Sequence, residues 1–174
     1  MSVATEAFPV PRGWVAAMAA AGPVAIGGIL AARAHDASPM LAAPAIVFGV
    51  VAATAPALYI ATATTGNAPP LAAMARAFSI ALGAFGVALA GLILPAAFVA
   101  LSSVSPSTTV AVSTAAIAAA GLLGLRRLAS ELRAGRGEAA PWSLPSSVVF
   151  LIWAGAIATI TGRLWWDLAV EVMP

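Results

Sequence analysis

The sequence contains no cysteine and no lysine, and it has little charge of either sign. Without cysteine the chain cannot form disulfides, thiolate metal sites or iron–sulfur clusters, and it has no thiol nucleophile. Charged residues make up 8% of its 174 residues, whereas a soluble domain carries about 25%. Since a water-facing surface needs such charges, most of the surface of this chain must face something other than water.

Apolar residues are correspondingly abundant and make up 62% of the sequence. They are concentrated in five runs, each about as long as an α-helix that crosses roughly 30 Å of hydrocarbon. We therefore predict an all-α, polytopic integral membrane protein in which residues 1–174 form a single membrane domain, a bundle of five transmembrane helices. The predicted spans are about 14–32, 41–63, 77–101, 109–125 and 146–162.

The first run could be mistaken for a cleaved signal peptide. However, Glu6 lies in its leader, and the run Trp14–Ala32 is longer than the roughly 7–15 apolar residues of a signal peptide. We expect it to be an uncleaved first span.

The arginines are distributed unevenly around these spans, and cytoplasmic loops are enriched in arginine. Arg33 and Arg163 lie on one side of the predicted membrane, and the other six arginines lie on the other side. We therefore expect a multi-pass protein of a bacterial-type inner membrane, with a cytoplasmic N-terminus and an external C-terminus. The net charge of only +2 does not indicate nucleic-acid binding.

The most basic segment is the predicted cytoplasmic loop, residues 126–145. Leu125, Leu128 and Leu132 continue an apolar face beyond the fourth span, so the helix is expected to run on before Gly135 and Gly137 end it. Its arginines would then lie at the level of the lipid head groups. Tryptophans near the end of the fifth span are typical of the same interface. The candidates for lipid or partner contact are Arg126, Arg127, Arg133, Arg136, Arg163, Trp165 and Trp166.

Small residues recur at intervals of four on the last three spans. Such stripes allow helix backbones to approach closely, although an alanine-rich chain also produces them by composition. The helix-packing candidates are Ser79, Gly83, Ala120, Gly124, Ala158 and Gly162.

Uncharged polar residues cluster in the second span, where Thr54, Tyr59 and Thr62 could line a pocket for a small neutral solute or a lipid head group. Alternatively, their hydroxyls bond back to carbonyls of their own helix. Prolines inside the first three spans predict kinks, or else a hinge beside a substrate path.

No ionisable residue falls near the middle of a span, and no hydrolytic or phosphate-binding motif is present. The leading hypothesis is therefore a non-catalytic membrane subunit that packs by helix–helix contacts into a larger inner-membrane assembly. The alternatives are a small transporter or channel acting as a homo-oligomer, and a lipid- or quinone-binding component. We predict no enzyme activity of its own, no catalytic or metal-ligating residue and no cofactor other than bound lipid. The expected partners are membrane lipids and either other membrane subunits or further copies of the chain.

Overall fold

The computed structural model describes residues 12–66, 68–134 and 143–172. Across these residues the chain contains five helices and no strand. They are α1 (Arg12–Ala34), α2 (Ser38–Thr64), α3 (Leu71–Ser102), α4 (Pro106–Ala134) and α5 (Leu144–Val172).

Four of these helices, α2 to α5, are long and apolar enough to cross a membrane, and Ala19–Ala34 in α1 is a shorter apolar segment. A helix satisfies its own backbone hydrogen bonds, which is what a chain needs in hydrocarbon. The prediction of an all-α, multi-pass membrane bundle is confirmed.

Helix α4 continues beyond its predicted span, because its buried face continues. It runs to Ala134, so the first part of the loop predicted at 126–145 is helical. Leu128 and Leu132 are only 2% and 3% exposed, and both pack in the interior. Gly135 and Gly137, the expected ends of this helix, lie outside the described residues.

Helix α5 likewise continues past its predicted end at Gly162 and reaches Val172. Its last turns bury Trp165, Leu168 and Ala169 against the other helices. A span predicted from hydropathy stops at the first charges, whereas the buried face of α5 continues beyond them.

Successive helices run in opposite directions, so α2 and α4 end where α3 and α5 begin. We call this the basic end, because Arg76, Arg126, Arg127 and Arg133 lie there. Arg33 lies at the other end of the bundle, close to the end of α3.

The helices follow one another in space in the order α5, α2, α1, α3, α4. Helix α3 packs extensively along both α4 and α1, while α1 also packs on α2, and α2 on α5. Helices α4 and α5 stand at the two ends of this series and touch each other only locally. The contact between them is therefore a loose one.

Four prolines lie inside helices that continue without interruption: Pro23 in α1, Pro44 and Pro56 in α2, and Pro95 in α3. Each removes one backbone donor from its helix. None of them ends a helix, and the hypothesis that one acts as a hinge stays a prediction.

The turn between α1 and α2 is held by Asp36. Its carboxylate accepts hydrogen bonds from the hydroxyl and the backbone N–H of Ser38. These bonds, the hydroxyl's most of all, lower the pKa of Asp36 below its ordinary 3.8. Stabilisation from this turn is therefore present above pH 3.8 and is lost as the pH falls through the lower folded-state pKa.

Arg33 joins the end of α1 to the end of α3. Its guanidinium donates to the carbonyl oxygen of Ala100 at 2.7 Å and to that of Ser103. Thr109, at the start of α4, also donates to the Ala100 carbonyl, at 3.4 Å. The last carbonyls of a helix have no partner within the helix, and a cation there also meets the negative end of the helix dipole.

We expect Arg33→Met to lower the free energy of unfolding by about 1–3 kcal/mol, because it leaves these carbonyls without their charged donor. Arg163→Met is the control, since Arg163 is exposed and pairs with Asp167 at 3.4 Å on the surface of α5. Such a pair contributes about 0–1 kcal/mol. Denaturant unfolding in detergent micelles would measure both, and equal losses would contradict the role given to Arg33.

Gly27 marks the closest approach between α1 and α2. A β-carbon added there would lie 2.4 Å from the carbonyl oxygen of Pro39 and 2.8 Å from the α-carbon of Met40. These are backbone atoms at the start of α2, so they cannot yield as a flexible side chain would. One residue further on, a β-carbon on Gly28 would meet nothing within 4 Å.

Gly27→Ala should therefore destabilise the bundle by about 1–3 kcal/mol, the usual penalty of overpacking. Gly28→Ala should leave the stability unchanged or raise it, because alanine favours the helix by about 1 kcal/mol. Thermal unfolding followed by circular dichroism distinguishes the two. If both variants have the same melting temperature, the close contact between α1 and α2 is not needed for stability.

Candidate functional site

A cavity of about 380 Å³ lies between α4 and α5, with α2 and α3 forming its floor. We call it the cleft. Several lining residues are also exposed on the outer surface, among them Leu122, Ala158 and Gly162. The cleft therefore opens at the side of the bundle, where a membrane protein meets lipid or another chain.

Trp165 joins α5 to α4 at the end of the cleft away from the basic end. Its indole N–H donates to the hydroxyl oxygen of Thr114 at 2.7 Å, and that hydroxyl donates to the Val110 carbonyl at 2.7 Å. The indole is 7% exposed, and a buried indole N–H needs such a partner.

Trp153 lies toward the basic end of the cleft, where an aromatic and leucine cluster brings the same two helices together. Its indole N–H donates to the Thr54 carbonyl of α2 at 2.9 Å. Phe78 meets its ring edge-on at a centroid distance of 5.8 Å. Phe150 and Leu128 belong to the same buried cluster. Two tryptophans, each hydrogen-bonded to a neighbouring helix, thus define the length of the cleft.

The walls between the tryptophans are almost wholly apolar, and many of their residues are small. Ala118 and Gly121 line the α4 side, and Ala158 and Gly162 line the α5 side. Thr161 also lines the cleft. This arrangement can hold a hydrocarbon surface, and none of the lining side chains is ionisable.

No family model, curated protein or solved structure matches this chain. Within residues 12–66, 68–134 and 143–172, no three histidine, aspartate or glutamate side chains come together as metal ligands.

The structure separates the two tryptophans predicted at the interface. Trp165 turns inward to the cleft, whereas Trp166 is 58% exposed, and its contact with lipid or a partner stays a prediction. The sequence pattern predicts the two as a pair, and it places Trp153 at depth without making Trp153 or Thr114 a site residue. The available signal was that a tryptophan at depth needs an acceptor, but the sequence does not show which acceptor lies within reach.

The predicted polar pocket residues lie on α2 and do not line the cleft. The Thr54 hydroxyl donates to the Val50 carbonyl at 2.7 Å. The Thr62 hydroxyl lies 2.9 Å from the carbonyl oxygens of Leu58 and Tyr59. These hydroxyls are bonded to their own helix, which is the alternative that the sequence left open. The Tyr59 side chain is half-buried against the aromatic cluster.

The helix-packing candidates fall into three groups. Ala120 and Gly124 are buried between α3 and α4, where a β-carbon on Gly124 would lie 3.1 Å from that of Phe85. Ala158 and Gly162 line the cleft. Ser79 is exposed and Gly83 half-buried on the outer face of α3.

The predicted basic contacts lie at the helix surface. Arg126, Arg127 and Arg133 are exposed on α4, and Arg163 is exposed on α5. Arg127 forms an ion pair with Glu131 at 2.8 Å. Arg136 lies outside the described residues.

The hydrogen bond between Trp165 and Thr114 should contribute to holding α5 on α4. In a double-mutant cycle of Trp165→Phe and Thr114→Val, we expect a coupling energy of about 0.5–1.5 kcal/mol, the range of such bonds within membrane proteins. Unfolding in micelles provides the four stabilities. Trp166→Phe is the matched control and should show no coupling energy with Thr114→Val. A coupling energy near zero between Trp165→Phe and Thr114→Val would contradict the role of this hydrogen bond in holding α5 on α4.

Proposed function

We propose that the chain is a non-catalytic membrane subunit whose cleft receives a transmembrane helix of a different chain. The observation that supports this proposal is a lateral, apolar cleft between α4 and α5 with small residues along both walls. An assembly partner that enters from the membrane would meet it without passing through the bundle.

Two glycines of the cleft, Gly121 and Gly162, support this proposal because no contact within the described chain requires a glycine there. A β-carbon on Gly121 or Gly162 would meet nothing within 4 Å, in contrast to one on Gly27 or Gly124. Glycine is a weak helix former. Its use where no neighbour approaches is understandable if a partner backbone comes close there, since membrane helices associate through small residues.

The arginines support an orientation for this subunit. Among the described residues, Arg76, Arg126, Arg127 and Arg133 lie at the basic end, while Arg33 and Arg163 lie at the other. By the bias of arginine toward the cytoplasm, the basic end faces the cytoplasm of an inner membrane. Arg33 is engaged by α3 carbonyls, which further reduces the exposed positive charge of the other end.

Substitution of one glycine in the cleft tests whether a helix of another chain binds there. Gly162→Leu places an isobutyl group in the open cleft and should reduce co-purification of the partner from native membranes at least tenfold, corresponding to about 1.4 kcal/mol. Gly155→Leu is the control: it lies on the same helix, its β-carbon also meets nothing within 4 Å, and it does not line the cleft. Quantitative mass spectrometry after mild detergent extraction measures both.

The proposal requires a loss specific to Gly162. It fails if both variants keep or lose the same co-purifying chains. It also fails if the purified chain assembles only with itself and moves solute across liposomes, which is the transporter hypothesis. Release of a co-purified lipid or quinone by Gly162→Leu, with no change in any protein, would instead favour the third hypothesis.

A further inference from the structure

A second recess lies on the other side of the contact between α3 and α4, on the outer surface of the bundle. It has a volume of about 530 Å³. We call it the outer groove. Its lining residues are Gly83, Ala84, Val87 and Ala88 of α3, and Leu123, Arg126, Arg127 and Ser130 of α4.

The outer groove has an apolar part and a cationic part. Its α3 residues are small or aliphatic, and on α4 Arg126 and Arg127 lie about one turn nearer the basic end than Leu123. Arg126 forms no ion pair within the described residues, and Arg127 shares its charge with Glu131 alone. The side chain of Arg127 is still 53% exposed. Two arginines against one glutamate leave a net charge of +1 at this part of the groove.

Arg76 adds a third positive charge on the same face of α3. It precedes Gly83 by seven residues, which is close to two helical turns and about 10 Å along the axis. Arg76 is exposed. The field of this residue extends the positive potential beyond the groove into the head-group layer.

An apolar part followed by a cationic part matches the structure of an anionic phospholipid. An acyl chain fits the small apolar part, and an anionic head group fits the part between the arginines, where guanidinium groups bind phosphate oxygens well. The long arginine side chains can also reach outward to the head-group layer. We propose that the outer groove binds one anionic phospholipid, with its phosphate held by Arg126 and Arg127. This inference does not depend on the proposed partner of the cleft.

Native mass spectrometry of the full chain, released from nanodiscs that contain equal amounts of phosphatidylglycerol and phosphatidylcholine, tests the charge. We expect one phosphatidylglycerol to be retained in preference to phosphatidylcholine. Arg126→Gln and Arg127→Gln should each lower this preference about fivefold. Arg126→Lys should retain much of it. Arg163→Gln removes the same charge from an exposed site on α5 and should leave the preference unchanged.

A larger side chain in the apolar part of the outer groove tests whether an acyl chain binds there. Gly83→Leu keeps every arginine but occupies the groove, so it should reduce the retention of both lipids together. Circular dichroism and melting temperature confirm that each variant is folded before its lipids are counted.

Three results would overturn the proposal. The first is an unchanged lipid preference after both arginines are replaced. The second is an equal loss in Arg163→Gln, which would show only a general effect of net charge. The third is full displacement of the lipid by millimolar inorganic phosphate, with Gly83→Leu binding normally, which would show a simple anion site.

Discussion

The close contact between α3 and α4 is the constraint on which the other features of the bundle depend. Gly124 allows the backbone of α4 to lie against Phe85, and Ala120 is completely buried in the same contact. Helix α4 packs along α3 but touches α5 only locally. The cleft and the outer groove flank this contact, so the position of α4 determines the shape of both recesses.

Two tryptophans connect α5 to the rest of the bundle on the side where α4 and α5 make few contacts. The two indoles that line the cleft each reach a different helix, Trp153 to a carbonyl of α2 and Trp165 to a hydroxyl of α4. A large, rigid ring keeps two helices apart, and its single N–H bond anchors it. This explains how α5 stays with the bundle while an opening of about 380 Å³ remains between the two tryptophans.

Polar side chains of the described helices bond mainly to backbone carbonyls. Thr54, Thr62 and Thr114 donate to carbonyls of their own helices, and Arg33 binds the last carbonyls of α3. An unpaired hydroxyl is costly in hydrocarbon, so the threonine bonds satisfy the hydroxyls themselves, whereas Arg33 supplies a donor to carbonyls that have no partner within their helix. The described part of the chain also carries an apolar cleft, for which we propose a helix, and the outer groove with two arginines, for which we propose an anionic lipid.

The sequence by itself determined the helical class and the approximate position of each helix, since long runs without charge can be buried in a bilayer only as helices. It also indicated that Leu128 and Leu132 would prolong α4. It could not separate Trp165 from Trp166, or Gly27 and Gly124 from glycines that contact nothing. Hydropathy indicates whether a side chain can lie in an apolar environment. These distinctions depend instead on which neighbouring atoms lie within a few ångströms of the residue. Only the tertiary structure, through the order in which the helices pack, decided that α4 and α5 would stand apart and leave an opening between them.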